Sequence, residues 1–160
     1  MTATIGGIAT TQVAIIEAGA PSTSTFMHIA AVPTGATATI ALTFSGTMDF
    51  CGLAVWEMHG ASITPSDTAT SVASPVALTI DCPASGVIIA FASCGGTNAP
   101  TYTWAEVTED FDATSDAGNN HTHTGASDAF VAAQTNLAVA ATLSAAPDYK
   151  TGLAASFGPA

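Results

Sequence analysis

Residues Asp110 to Gly125, DFDATSDAGNNHTHTG, hold three aspartates, two asparagines and two of the chain's four histidines. So dense a set of oxygen and nitrogen donors raises metal binding first. A calcium loop of the EF-hand type wants acids at positions 1, 3 and 5, glycine at 6 and glutamate at 12. Counted from Asp110, the chain places Asp112 at 3 but Thr114 at 5, Ser115 at 6 and His121 at 12. The match fails where the geometry is strictest, which leaves only a looser calcium site on Asp112, Asp116 and backbone carbonyls. His121 and His123 fall on one side of an extended segment. Two imidazoles so placed can grip a transition metal, but a third ligand must come from Asp116, from Asp128 or from sister copies around a threefold axis. The plainer reading is a solvated, turn-rich loop between two strands, and it is the one the sequence favours. No metal and no cofactor are therefore expected.

Other chemistries find less support. Asp49, Glu57, Glu106 and Glu109 would serve glycoside hydrolysis only if two of them faced each other across a cleft, and nothing in their spacing requires that. No G-x-S-x-G elbow organises the many serines into a nucleophile. No catalytic residues are expected, and the chain is read as a non-enzyme. Cys51, Cys82 and Cys94 show no zinc spacing and are odd in number; buried small side chains account for them best. Trp56 and Trp104 sit inside alternating stretches and read as core aromatics. Their sharper role, together with Tyr102, is as stacking platforms for a glycan.

The elements that must position these residues are strands. Thr25–Val32, Ala36–Gly46, Phe50–Gly60, Pro75–Pro83, Gly86–Cys94, Thr101–Phe111, Asp128–Thr135 and Asn136–Ser144 alternate apolar and hydroxylated residues between Pro, Gly, Ser and Asp punctuation. Residues 36–46 and 50–60 are expected to pair as a hairpin across Thr47–Asp49. The terminal GLAASFGPA reads as a closing strand, while alanine richness leaves a helix possible over 127–143. The expected fold is all-β, an antiparallel sandwich or jelly roll in one domain over residues 23–160. Its core is read as Ile40, Leu42, Phe44, Leu53, Val55, Val87, Ile89, Phe91 and Val139. Residues 1–22 form an arm or edge strand ahead of it.

Composition limits the partners. Of 160 residues only 8% are charged, against roughly 25% in ordinary domains. Lys150 is the single cation and the net charge is −11. Nucleic acid and anionic membrane surfaces are excluded as partners, because both need clustered Lys and Arg. The first residues lack the basic start and apolar run of a signal peptide, so synthesis in the cytoplasm without export is expected.

The order of phrases carries more. TGATATIALTFSGTMDFCGLAVWEMHGAS, PVALTIDCPASGVIIAFASCGG, YTWAEVTEDFDA and a closing GLAASFGPA resemble a recurrent β-sandwich module of tailed-phage and prophage structural proteins. The resemblance spans about residues 23–160. It implies a virion-surface protein of decoration, head-fibre or tail-associated type, attached in many copies to a major capsid or tail protein. It transfers no catalytic residues. Self-association as a homotrimer is expected, since small β subunits must cover their strand edges. The alternative is a carbohydrate-binding module of a tail fibre, with host glycans as partners.

Overall fold

The computed structural model describes residues 1–18, 23–32, 35 and 37–160. Among them the chain is all-β, with antiparallel strands and no helix, and packs as a sandwich-like single domain. Residues 127–143, where helix was the alternative, complete β11 (His121–Phe130) and supply β12 (Gln134–Leu143).

The sandwich proper has two sheets. One runs β7 (Val76–Cys82), β12, β9 (Tyr102–Ala105). The other runs β10 (Thr108–Asp116), β11, β8 (Gly86–Gly95), β13 (Tyr149–Phe157), β6 (Asp67–Ser71). β7 shows why the sequence folds this way: Val76, Leu78, Ile80 and Cys82 are buried, while Ala77, Thr79 and Asp81 face water. Those four side chains meet Ile88, Ala90, Ala92 and Cys94 of β8, Val139 and Ala141 of β12, Ala126 and Ala154. Burying each large aliphatic among them contributes about 1.5–3 kcal/mol.

β8 and β13 are covered on both faces. The second face of the five-stranded sheet carries Ile89, Ala155 and Phe157, packed under Val13, Met27, Ile29, Trp56, Met58 and Ala61. The covering layer is the hairpin of β3 (Thr11–Ala18) with β4 (Thr23–Ile29), together with residues 50–61. Beside it β1 (Thr2–Ile5) pairs with β2 (Ile8–Ala9) and with β5 (Ile40–Thr43).

Residues 1–18, expected as an arm or edge strand, thus carry β1 to β3 and are paired into the fold. The expected boundary at residue 22 lies among residues 19–22, outside the described ones, as does Ala36, where the second expected strand begins. The expected hairpin of 36–46 with 50–60 is not formed. β5 is short and pairs with β1, and residues 50–59 join no ladder among the described residues. Leu53 and Val55, read as core, are 53% and 62% exposed. Ile40, Leu42 and Phe44 are only half-buried. Val139 is fully buried in the main core, and Ile89 is buried in the second cluster, with Val87 packed beside it. The larger core uses the alternate row of β8, because that strand has two buried faces and alternation alone does not say which is thicker.

Candidate functional site

The acid- and histidine-rich stretch is a hairpin. β10 and β11 pair from Thr108↔Ser127 to Asp116↔His121, with bulges at Glu109/Phe111 and Thr114/Asp116. Asp116 closes the turn: its Oδ1 accepts from Gly118 N (2.9 Å) and Asn119 N, and its Oδ2 from Asn119 Nδ2 (2.7 Å). These donors hold its carboxyl below its ordinary value, the Asn119 side chain contributing most. Asp112 accepts from the backbone N–H of Tyr102 at 3.0 Å, tying β10 to β9. Both carboxylates are thus engaged in positioning backbone.

The two histidines are not solvated. His121 is 4% exposed and His123 8%, which corrects the expectation of an open loop. Strand alternation places both on the outer face of the sheet, as the sequence implied, but residues 50–56 cover that face. The Phe50 ring lies over His121 with centroids 3.5 Å apart, and His121 Nε2 is 2.8 Å from the Tyr149 hydroxyl. His123 sits between Phe91 and Phe111, each at 5.8 Å, with Gly52 against its ring. Its Nδ1 is buried without a hydrogen-bond partner among the described residues. Burial lowers both imidazoles below their ordinary pKa of 6.5, outweighing the pull of Asp116 on His121 and of Asp112 on His123. Neutral rings in an aromatic seam are the result. Among the described residues no three His, Cys, Asp or Glu side chains converge on a common point.

The opposite face of β11 is a second buried polar node. The Tyr102 hydroxyl lies 2.9 Å from Cys94 Sγ and 3.2 Å from the Thr122 carbonyl. Burial above all pushes that phenol well above its usual range. Trp104 Nε1–H donates to Thr124 Oγ1 at 3.0 Å, and that hydroxyl donates on to the Phe111 carbonyl at 2.8 Å. Tyr102 is therefore no stacking platform, being 6% exposed, and Trp104 is held inward against the main core. Trp56 differs. It is half-buried over Gly125 beside Phe111, and its Nε1–H donates to the exposed Asp110 carboxylate at 2.7 Å.

The remaining acids do not pair. Glu57 meets His59 at 3.1 Å, both largely exposed. Glu106 occupies the tight turn between β9 and β10 with φ 69°, and Glu109 follows on β10. A shallow cleft of about 250 Å³ lies at one end of the sandwich, bordered by Glu57, His59, Ser85, Val87, Phe157 and Pro159. Cys51 is exposed, whereas Cys82 and Cys94 are buried, and all three are free.

Sequence reasoning missed the role of Phe50 and Gly52 as the lid on the histidines. The small residue opposite a histidine was the available signal, but it becomes legible only once the register is known. Comparison with protein-family models, with curated proteins and with solved structures finds no match to this chain.

Proposed function

We propose that the protein is a non-enzymatic structural subunit of a phage particle, a surface decoration or spike component held on its lattice in many copies. The observation that carries the proposal is the surface. A chain of net charge −11 presents Leu53, Val55, Ile63, Val72 and Val131 to water, at 51–91% exposure, from segments between the strands of its two-sheet frame. The acidic excess disfavours unspecific clumping of such subunits, while apolar residues displayed between the strands suit multivalent docking against a larger assembly. The histidines and buried hydroxyls act in this reading as internal pins of the layers.

Quantitative mass spectrometry of density-purified particles tests it. Recovery at many copies per particle is expected, with a major capsid or tail protein as the crosslinked neighbour. Absence from particles would sink the proposal. The carbohydrate-binding alternative keeps one specific observation in its favour, the surface pairing of Trp56 with the Asp110 carboxylate, since glycan sites set an aromatic face beside a hydrogen-bonding acid. A glycan array that lights up for the native chain and goes dark for Trp56→Ala would select that alternative.

A further inference from the structure

Among the described residues, 50–59 run beside β11 without joining a ladder. Phe50 lies over His121, Gly52 against His123 and Trp56 over Gly125, while Met58 packs on the cluster of Ile89, Ala155 and Phe157 and borders the same cleft as Val87 and Ala129. From 50 to 58 the segment travels the length that β11 covers from 121 to 129, which is the rise of extended chain. From Leu53 onward its exposure alternates accordingly: Ala54, Trp56 and Met58 are half-buried, while Leu53, Val55, Glu57 and His59 are exposed, as are Cys51 and Gly52 before them. Yet among the described residues no backbone hydrogen bond joins 50–59 to another segment. Unpaired extended backbone beside an apolar row is the condition under which β-edges recruit another strand.

We propose that this segment pairs with the same segment of a second copy, antiparallel and about a twofold axis, with Ala54 opposite Ala54. Charge selects the occupant. Phe50 through Trp56 is free of charge in a chain of net −11 with one cation, so it is a place where two copies can approach without setting acid against acid. Charge also selects the register. Outward residues must face outward residues, so the register moves in steps of two. With Leu53 opposite Leu53, Asp49 meets Glu57; with Val55 opposite Val55, Glu57 lands on Leu53. Only the Ala54-centred register sets Leu53 against Val55 and places His59, not an acid, opposite Asp49. The Glu57–His59 contact within each copy then lies at the end of the pair, where Asp49 of the second copy joins it. The pairing does not require the particle reading, so the two proposals fail separately.

The test is sedimentation equilibrium of the full chain up to millimolar concentration, with Leu53→Asp and Val55→Asp alongside. Mass rising from one chain to two is expected for the native protein. Each variant should weaken association at least about tenfold, because the symmetry places the new carboxylate in two cross-strand pairs. Both positions are exposed, so circular dichroism of the variants should match the native spectrum. A native chain that stays single, one that assembles as a trimer, or a variant that associates undiminished would overturn the proposal. The register has its own readout. Glu57→Cys places a thiol opposite the native Cys51 of the second copy, within the Cα spacing of about 4.4–6.8 Å that a disulfide spans. Within one chain the two lie about 20 Å apart along extended backbone. Oxidation with diamide should give crosslinked dimers whose peptides join Cys51 to the introduced thiol. Links only between like positions would refute the register.

Discussion

Replacing Gly125 by alanine adds one methyl group on β11, at a point where the rings of Trp56 and Phe111 already press on the backbone. At an open strand position the same change is favourable by about 0.5–1 kcal/mol, because it removes conformational freedom from the unfolded chain. Here the new Cβ falls inside the reach of both rings, which are rigid and cannot swing aside at a free end. Overpacking of this kind costs roughly 1–3 kcal/mol. The net effect is therefore a loss of about 1–2 kcal/mol, opposite in sign to the open-site expectation. With a urea m-value near 2 kcal/mol/M, the midpoint should drop by roughly 0.5–1 M. The assay is urea unfolding at neutral pH followed by circular dichroism, in native and Trp56→Ala backgrounds. Removing the indole vacates half of the contested space, so the alanine should cost about 1 kcal/mol less there. Gly125→Ala as stable as the native chain, or equally costly in both backgrounds, would refute the account of residues 50–61 as a layer seated on β11.

Three further expectations follow from the same geometry. Burial lowers the pKa of His28, His121 and His123, so the unfolded chain binds protons below 6.5 that the fold resists. Stability is level above that pH and falls as pH drops from there toward the depressed folded values, by at most about 1.4 kcal/mol per pH unit per histidine; urea midpoints between pH 8 and 5 check this, and His123→Phe should flatten the slope. Tyr102→Phe leaves Cys94 Sγ and the Thr122 carbonyl without the phenol and should cost about 1–2 kcal/mol in the same assay. A thiol reagent should label Cys51 at once in the native protein and reach Cys82 and Cys94 only after denaturant is added, as their burial requires. Rapid labelling of all three thiols in buffer would contradict that packing.

Strand positions in the second half of the chain were legible because alternation there coincides with pairing. β7 reads apolar–polar without interruption, and its partner β12 and the facing strand β8 fall where turn residues bracket them. The stretch FCGLAVWEMHG alternates just as cleanly, yet it makes no ladder. Alternation reports that an extended chain has an inside and an outside. It does not say whether the neighbour is a hydrogen-bonded strand or a sheet lying beneath. For the same reason alternation points Leu53 and Val55 inward, when the half-buried row is Ala54, Trp56 and Met58. The Asp/His stretch misled through composition. Donor-rich residues around Gly118 do form an exposed turn, but His121 and His123 already belong to β11, and the ring of Phe50, some seventy positions earlier, covers the first of them. That pairing is non-local, and no spacing rule contains it.

The middle sheet is built largely from small side chains where its two coverings meet it: Ala90, Ala92, Gly125, Ala126, Gly152, Ala154 and Ala155. Gly152 lies directly against Val76 on one side, as Gly125 lies against Trp56 and Phe111 on the other. Side chains there can grow in neither direction, so inherited variation in such a lineage has to collect elsewhere. The outward rows of β7, β12 and residues 51–59 are where it can collect. What the molecule touches can then diverge from one descendant to the next while the frame beneath stays the same.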